Sequence, residues 1–287
     1  MYDAAIVGTG PAGISAALNF KLHKKNIIWF GSKELSTKVE KSEKIANYPG
    51  LSMISGSELN ARFVKQIEEM DIELTEKLVT GITPTGNGFM VLGGNDIYET
   101  KTILLALGVV SAKGFPGEKK LLGHGVSYCA SCDGFLYKDK KIAVFCADKR
   151  FEHEVEFLAE LAEKVCLFTT YKDIEINIPN VMHFNQSIKE ICGQDSVNKI
   201  ILSDGTEISV EGVFVLRNAV APSILLKGLK TDGPHIVVNK NMETNIKGCY
   251  AAGDCTGRPY QLTKSTGEGN IAAHSMLEYL SELGKQA

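Results

Sequence analysis

The sequence predicts an α/β fold with parallel sheets, built as two Rossmann-like units in series. Residues 4–8 form an apolar run that ends in glycine, an amphipathic stretch follows as far as residue 23, and residues 26–30 are apolar again. Strand, glycine turn, helix and strand in this order make a βαβ unit, which implies a parallel sheet with covered faces. The order strand, helix and strand recurs between residues 141 and 168. The length of 287 residues suits two domains of ordinary size.

Composition and charge argue against several classes of protein. Hydrophobic residues make up 44% and charged residues 23% of the chain, which is typical of a globular protein rather than a disordered, collagen-like or coiled-coil one. The formal net charge of -3 gives no basic field to attract nucleic acid. No basic region precedes the first apolar stretch, and the longest apolar run, around 103–110, is shorter than the roughly 20 residues of a membrane span. Seven irregularly spaced cysteines favour a reducing compartment, so we expect a soluble, cytoplasmic protein with neither nucleic-acid nor membrane partners.

The remaining elements follow the same alternation. Residues 57–70 repeat apolar positions with a helical period, and residues 79–103 read as short strands broken by turns. The buried strand 101–107 stops at Gly108, and the glycine- and lysine-rich stretch 109–125 is a crossover between domains. Downstream, the pattern predicts in order strand 141–145, helix 151–163, strand 165–168, a hairpin over 200–208 that turns at Asp204-Gly205, strand 212–216, strand 249–252 and a helix from about 269 to 280.

The first glycine turn is a candidate dinucleotide site. Gly8-Thr9-Gly10-Pro11-Ala12-Gly13 matches G-x-G-x-x-G between a predicted strand and a predicted helix. The glycines allow a tight turn and a close approach to a pyrophosphate, whose charge then meets the helix N-terminus. A plain tight turn is the alternative. The carboxylate that usually follows the second strand for the adenine ribose is missing, since that strand ends at Phe30-Gly31 and Glu34 lies beyond it.

A second candidate lies near the other end of the chain. Asp254 follows a predicted strand and Gly253, so its carboxylate can accept hydrogen bonds from the hydroxyls of a bulky cofactor that the glycine admits. A helix cap or a turn aspartate is the alternative interpretation.

The pair Cys129-Ala130-Ser131-Cys132 indicates redox chemistry. Two cysteines three residues apart at the start of a helical turn can form a small disulfide, and one thiol pKa can fall there. Zinc binding needs two more ligands, and no second such pair or His-x-x-x-His occurs, so zinc and buried structural cysteines are the weaker alternatives. Asp133 can supply or accept the proton that thiol exchange moves, unless it only forms a turn.

Four motifs together resemble the low-molecular-weight flavin thioredoxin reductases: the glycine turn, Asn47-Tyr48-Pro49-Gly50, the stretch from Gly125 through the cysteine pair to Gly134, and Ala251-Ala252-Gly253-Asp254. The resemblance spans nearly the whole chain. It implies FAD as cofactor, thioredoxin as substrate and a homodimer. It also implies a discontinuous FAD-binding domain of residues 1–109 and 230–287, into which a central domain of residues 110–229 with the cysteine pair is inserted.

The resemblance also assigns roles to residues. Cys132 looks like the thiol that faces the flavin, Cys129 like the thiol that attacks thioredoxin, and Asp133 like the proton donor. Gln261 stands where the family has a glutamine beside the flavin ring, although here it follows Tyr260 rather than arginine. The candidate cofactor-binding residues are Gly8, Gly10, Pro11, Ala12, Gly13, Asn47, Val79, Gly108, Gly253, Asp254 and Gln261, and no metal site is expected.

The central domain departs from the family at its own nucleotide turn. In these enzymes a second glycine-rich turn binds NADPH, and a His-Arg-Arg after the next strand clamps the 2′-phosphate. Here the turn reads Cys146-Ala147-Asp148-Lys149-Arg150, without glycine, and the clamp positions are Thr169-Thr170-Tyr171. A charge such as that of Asp148 at about 4 Å from a phosphate costs about 4 kcal/mol at an effective dielectric of about 20. Two further departures are Leu216-Arg217-Asn218, in place of a small-residue and glycine turn, and residues 36–44, in place of Gly-Gly-Gln-Leu.

These departures make the sequence similar to the ferredoxin-dependent, pyridine-nucleotide-independent branch of the family. The expected route takes electrons from reduced ferredoxin through FAD to the cysteine pair and then to thioredoxin. Candidate docking residues for an acidic carrier are Lys24, Lys25, Lys38, Lys41 and Lys44, with a solvated face as the alternative. Three other readings stay open: another nucleotide or a second flavin in the central cleft, an NADPH enzyme with an atypical site, and a flavin-binding redox sensor.

Overall fold

The computed structural model describes residues 1–108, 114–128, 130–217 and 222–286, without the side chains of Thr37, Cys132 and Gln286. The chain divides into two compact units. Unit 1 comprises Met1–Ala112 with Ala221–Ala287, and unit 2 comprises Lys113–Val220.

Unit 1 begins with β1 (Tyr2–Val7), α1 (Pro11–Leu22), β2 (Ile27–Phe30), α2 (Thr37–Glu40), α3 (Gly56–Glu69), β3 (Val79–Thr85), β4 (Gly88–Gly93) and β5 (Asp96–Leu105). Unit 2 contains β6 (Val126–Ser127), α4 (Ala130–Asp133), β7 (Lys141–Cys146), α5 (Glu152–Leu161), β8 (Lys164–Thr169), β9 (Val181–Phe184), β10 (Ile188–Gly193), β11 (Val197–Leu202), β12 (Glu207–Ser209) and β13 (Gly212–Leu216). The chain then returns to unit 1 with α6 (Pro222–Leu225), β14 (Thr231–Asp232), β15 (His235–Ile236), β16 (Cys249–Ala251) and α7 (Leu262–Gln286).

The main sheet of unit 1 has the order β2-β1-β5-β4-β3, with β16 paired to β5. The strands β1, β2, β5 and β16 are parallel, whereas β4 is antiparallel to both of its neighbours. The long strand β5 pairs with β4 through its first half and with β16 through its second half. Apolar side chains of α1, α7 and the parallel strands form the core, with Phe20, Trp29 and Leu104 fully buried. Because β1 and β16 are both parallel to β5, their carboxyl ends lie at the same edge of this sheet.

The main sheet of unit 2 is entirely parallel and has the order β6-β13-β7-β8-β9. A separate antiparallel sheet contains β10, β11 and β12. The core of unit 2, beside its parallel sheet, contains the fully buried side chains of Val144, Leu158 and Phe214. The predicted fold class is thereby confirmed: both units have parallel sheets with crossover helices.

Three elements, α7, β9 and β10, differ from the sequence-based expectation. The closing helix was expected from about residue 269 but begins at Leu262, because polar side chains of its first turns bind the preceding loop. Apolar periodicity could not reveal this polar start. The strands β9 and β10 were not predicted, since their alternation is interrupted by polar residues.

Residues after the second crossing between the units belong to unit 1. Leu226 forms an isolated parallel bridge with Ile82 of β3, and its side chain is fully buried. The unit boundary at 220/221 therefore precedes the expected boundary at 229/230. The ligand of each domain stays a prediction at this point. No helix within the described part of the chain combines the length and apolarity needed to cross a membrane.

Candidate functional site

The glycine turn after β1 combines tight packing with one open position. Gly8 has a φ of +115°, and a Cβ there would lie 2.2 Å from the carbonyl oxygen of Ala106. A Cβ at Gly13 would lie 2.0 Å from the carbonyl oxygen of Gly8. Both glycines are therefore needed to pack strand against helix. At Gly10, by contrast, a Cβ would meet no described atom within 4 Å, so this position faces open space.

The open position lies at the N-terminus of α1. Gly10 is the N-cap residue and forms no side-chain cap, Pro11 occupies the first turn, and that turn contains no acidic residue. Ala12 is buried behind it. A helix N-terminus without an internal anion attracts a phosphate through its amide groups and its dipole. The geometry thus fits the pyrophosphate of a dinucleotide.

Two predicted cofactor-binding residues from distant parts of the sequence are in direct contact. The amide Nδ2 of Asn47 donates a hydrogen bond to Oε1 of Gln261 at 2.8 Å, across 214 positions of sequence. Both side chains are exposed. Their remaining amide groups can bind a polar ring edge, which is the role that the resemblance implies for Gln261.

The loop after β16 positions Asp254. Gly253 has a φ of +90°, which favours glycine. The carboxylate of Asp254 accepts a hydrogen bond from Ser265 Oγ at 3.2 Å and forms an ion pair with Lys38 Nζ at 2.5 Å. The side chain of Asp254 is only 12% exposed. Lys38, expected as a docking residue, therefore contacts the predicted cofactor site itself.

Two residues that the sequence analysis missed hold this loop against α7. Glu268 accepts hydrogen bonds from Gly253 N and Thr256 Oγ1, both at 2.8 Å. Lys264 donates to the carbonyl oxygens of Gly253 at 2.9 Å and Gly257 at 2.8 Å, and pairs with Glu268. The only available sequence signal was the i,i+4 spacing of Lys264 and Glu268, which is common on exposed helix faces.

The two remaining predicted cofactor-binding residues lie at opposite ends of β-strands. Gly108 follows β5 with a φ of +68°, and a Cβ there would meet no described atom within 4 Å. Val79 begins β3 and is buried opposite Gly93, which packs closely against Phe30 at the end of β2. Among the described hydrogen bonds, none joins Gly108 or Val79 to the Asn47–Gln261 pair.

The predicted disulfide lies largely outside the description. Cys129 is not among the described residues, and the side chain of Cys132 is not described, although its backbone belongs to α4. Asp133 is described, and its Oδ2 accepts a hydrogen bond from Ser127 Oγ at 2.6 Å. The pairing of the two cysteines therefore stays a prediction.

The turn after β7 supplies its own anion. The Oδ1 atom of Asp148 accepts hydrogen bonds from Arg150 N at 3.1 Å and Arg150 Nε at 3.2 Å. Lys149 pairs with Glu175 at 2.5 Å. A carboxylate caps this turn, and both nearby cations bind carboxylates of the same unit, so they are not aligned for a phosphate.

A partly buried hydrogen-bond network adjoins this turn. Glu152, in the first turn of α5, is 8% exposed and accepts a hydrogen bond from Tyr171 Oη at 2.9 Å. The Sγ of Cys146 lies 3.4 Å from the same hydroxyl. Burial, then the hydrogen bonds to Cys146 and Glu152, raise the pKa of Tyr171, so its hydroxyl stays neutral. Thr170 stands at another of the expected clamp positions, and its Oγ1 donates a hydrogen bond to the carbonyl oxygen of Ala147 at 2.8 Å.

A second buried cluster lies near the predicted disulfide. Glu118 is 0% exposed, and its carboxylate accepts hydrogen bonds from Phe115 N at 2.8 Å and Tyr128 Oη at 2.7 Å. Arg217 forms a buried ion pair with the same carboxylate. Sequence reasoning had noted Arg217 only as a departure from a glycine turn.

Comparisons with known proteins agree over almost the entire chain. A model of the pyridine nucleotide-disulphide oxidoreductase family matches residues 2–150 and 180–269. The crystal structure of a ferredoxin-flavin thioredoxin reductase from Clostridium acetobutylicum is 41% identical, with 99% of this chain and 98% of that chain covered and a TM-score of 0.93. A thioredoxin reductase structure from Gloeobacter violaceus is 28% identical, with 98% and 94% covered and a TM-score of 0.81. The thioredoxin reductase of Mycoplasma pneumoniae is 29% identical over 98% of this chain and 96% of that protein.

Proposed function

Because this chain belongs to the pyridine nucleotide-disulphide oxidoreductase family, we propose that it reduces thioredoxin through Cys129 and Cys132 with electrons from reduced ferredoxin, passed through FAD. The chain is a homologue of thioredoxin reductases and an oxidoreductase enzyme, as the sequence predicted. FAD is the cofactor of this family, in agreement with the expectation. The donor, the cysteine pair and the individual site residues are the parts proposed here.

The single observation that carries the choice of donor is the internal anion in the turn after β7. Asp148 caps this turn, and Glu152 occupies the first turn of α5. A nicotinamide coenzyme would have to bring its pyrophosphate to a helix start that already carries negative charge, without a glycine to let it approach. Reduction of the enzyme by NADPH is therefore disfavoured on both electrostatic and steric grounds.

The first turn, in contrast, fits FAD. The open position at Gly10 and the start of α1 would hold the pyrophosphate, and Asp254 would accept hydrogen bonds from cofactor hydroxyls. Asn47 and Gln261 would bind the polar edge of the ring system. When bound, FAD supplies the conversion between single-electron and two-electron transfer, which a one-electron carrier requires.

The chain's own part of the reaction is thiol–disulfide exchange. The Cys129 thiolate attacks one sulfur of the thioredoxin disulfide, and the other thioredoxin sulfur leaves and takes up a proton, for which Asp133 is the donor. Cys132 then attacks Cys129 Sγ, which releases thioredoxin as a dithiol and leaves the Cys129–Cys132 disulfide. Two reduced ferredoxins with one electron each, together with two protons, restore the dithiol.

Three of the five expected docking lysines, Lys24, Lys25 and Lys38, fall at two ends of the sheet of unit 1. Lys24 and Lys25 precede Asn26, whose carbonyl accepts a hydrogen bond from Asp3 N at the start of β1. Lys38 lies at the other end, on Asp254 beyond β16. We assign the docking of an acidic carrier to the end where Lys38 lies, because Lys38 contacts Asp254 of the predicted cofactor site there.

Aromatic and cationic side chains mark this second end. The ring of Tyr260, directly before Gln261, has Lys38 Nζ at 5.2 Å and the guanidinium carbon of Arg258 at 5.6 Å from its centroid. Arg258 is exposed, so its charge can attract an acidic protein surface, whereas the exposed Lys38 is paired with Asp254.

The donor is tested by anaerobic reduction of the flavin-loaded protein. Reduced ferredoxin is expected to bleach the flavin and to support continuous thioredoxin reduction, whereas NADPH and NADH should do neither. Rapid bleaching by NADPH with none by ferredoxin would contradict the proposal. Flavin released on denaturation should amount to one per chain, and two per chain would favour a second flavin in unit 2.

The docking end is tested by charge reversal. Arg258→Glu should slow flavin reduction by ferredoxin about tenfold at low ionic strength, and the difference should shrink with added salt. Lys24→Glu, a matched reversal at the other end of the sheet, should have little effect, and reduction by dithionite should be unchanged in both variants. A larger effect of Lys24→Glu than of Arg258→Glu would contradict the assignment, because docking would then lie at the end of the sheet that carries Lys24.

The proposal also includes a homodimer in the cytoplasm, where the environment is reducing and thiol–disulfide exchange can take place. Light scattering of the flavin-loaded protein should give twice the chain mass of 31.2 kDa, and a monomer that is fully active would remove the dimer from the proposal.

A further inference from the structure

Unit 2 contains a buried carboxylate that needs a cation. Glu118 is 0% exposed and accepts hydrogen bonds from Phe115 N and Tyr128 Oη. Burial of a charged carboxylate is unfavourable unless a counter-charge and hydrogen bonds compensate for the lost water. Arg217 provides that counter-charge through Nη2, and its own side chain is only 12% exposed.

Tyr128 is held at two places by this pair. Its hydroxyl donates to Glu118 Oε1 at 2.7 Å, and the guanidinium carbon of Arg217 lies 5.2 Å from its ring centroid. Burial and the Glu118 carboxylate raise the pKa of Tyr128, so the phenol remains a neutral donor at physiological pH. Removing Arg217 would take away both the counter-charge of the acceptor and the cation over the ring.

Tyr128 directly precedes Cys129 in the chain. The strand that leads to it, β6, has two residues; it pairs with Val213 and Phe214 of β13, and Val126 also forms an isolated bridge with Leu122. So short a strand gives little orientation by itself. Its other residue, Ser127, binds Asp133 on the far side of the cysteine pair at 2.6 Å. The segment entering the pair is therefore held by side chains in addition to its short backbone pairing.

We infer that Arg217 is a positioning residue for the Cys129/Cys132 pair: with Glu118 it anchors Tyr128 and thereby sets the approach of the Cys129 sulfur to a substrate disulfide. The inference rests on the proposed function and deepens it. Disulfide exchange requires the attacking sulfur to be aligned, and a displacement of about 1 Å can reduce a rate about a hundredfold. A small-residue and glycine turn at 216–218 would offer no guanidinium for this purpose.

The test separates positioning from stability by means of a charge-balanced variant. Arg217→Met alone leaves a buried carboxylate without its counter-charge and is expected to destabilise the fold. The double variant Glu118→Gln/Arg217→Met removes both charges, so we expect it to fold with wild-type flavin content. Lys199→Met/Glu207→Gln, which removes an exposed ion pair of the same unit, is the matched control.

The measurement is a single turnover of dithionite-reduced, flavin-loaded protein with oxidised thioredoxin. The limiting rate should fall at least tenfold in the double variant, while the half-saturating thioredoxin concentration and the thermal midpoint stay near wild type. Arg217→Lys, which keeps the charge without the planar group, should recover part of the rate. The control pair should react like wild type.

Two results would overturn the inference. A folded double variant whose limiting rate lies within twofold of wild type would show that the pair serves stability alone. An equal loss of rate in the control pair would show that the assay responds to any lost ion pair. A wild-type protein that fails to reduce thioredoxin at all would instead overturn the proposed function, and the inference with it.

Discussion

The three glycines of the first turn have different physical tasks. Gly8 and Gly13 lie where a Cβ would collide with backbone oxygens, whereas Gly10 faces open space. The spacing of the motif predicts all three as one pattern, but only the structure separates packing from ligand approach. The same limit applies to Asn47 and Gln261, because no local pattern places residues 214 positions apart in contact.

Substitutions in this turn should separate folding from cofactor binding. Gly13→Ala should lower the free energy of unfolding by about 1–3 kcal/mol, because the backbone must shift to admit the methyl group. Gly10→Ala should leave folding intact and weaken flavin binding. Urea unfolding and flavin titration measure the two effects, and wild-type flavin affinity in Gly10→Ala would show that the cofactor does not approach there.

Buried thiols predict how stability varies with pH. Burial raises the pKa of Cys249 to about 12 and that of Cys255 to about 11, from a usual value of 9.0. Their neutral forms favour the folded state, so this stability is present below pH 9.0 and is lost as the pH rises toward the folded-state values. The free energy of unfolding should therefore decrease between pH 9 and 10 by up to about 1.4 kcal/mol per thiol.

The check is urea unfolding at pH 8, 9 and 10. Cys255→Ala should reduce the slope against pH because one titrating group is gone. An unchanged slope in this variant would assign the alkaline loss to other groups.

At the scale of elements, periodicity predicts the βαβ units well and polar contacts poorly. Apolar runs locate β1, β7, β13 and the second half of β5, since these stretches are largely buried on both faces. The start of α7 is set instead by Lys264 and Glu268, which bind the preceding loop. Contacts of this kind join side chains to backbone atoms and leave no periodic trace.

This loop attachment should influence cofactor affinity. Glu268→Gln removes the negative charge of the carboxylate that accepts hydrogen bonds from Gly253 N and Thr256 Oγ1. The loop carrying Asp254 should therefore be held less firmly. Flavin affinity should fall about tenfold, which corresponds to about 1.4 kcal/mol. Glu278→Gln, an exposed position on the same helix, is the control, and equal affinities in both variants would contradict the role of the loop.

At the scale of the whole molecule, two related βαβ units have opposite relations to anions. Unit 1 offers an uncharged helix start behind Gly10, whereas unit 2 begins α5 with Glu152 behind the Asp148 cap. The missing glycines predicted the loss of the second site from sequence. The partner of Glu152, Tyr171, and the pairing of the buried Glu118 with Arg217 came only from the structure, because burial and pairing depend on the complete fold.

Removal of the attacking thiol distinguishes an enzyme from a sensor. Cys129→Ser should still allow ferredoxin to bleach the flavin, but thioredoxin reduction should fall at least about a hundredfold, because a hydroxyl replaces the nucleophile. Stopped-flow absorbance and a thioredoxin turnover assay measure the two steps. A variant that kept every cellular effect of the protein would favour signalling by cysteine state.

The self-capped turn in unit 2 would also make a nicotinamide-binding turn hard to build by single substitutions. Replacing Asp148 alone would leave Glu152 in the first turn of the helix, and replacing Glu152 would remove the acceptor of the Tyr171 hydroxyl and of the amide of Glu175. Each intermediate on the way to nicotinamide use would thus fold less well before it bound anything. Under the proposed electron route, the packing of one small domain would thus keep the enzyme dependent on a protein donor.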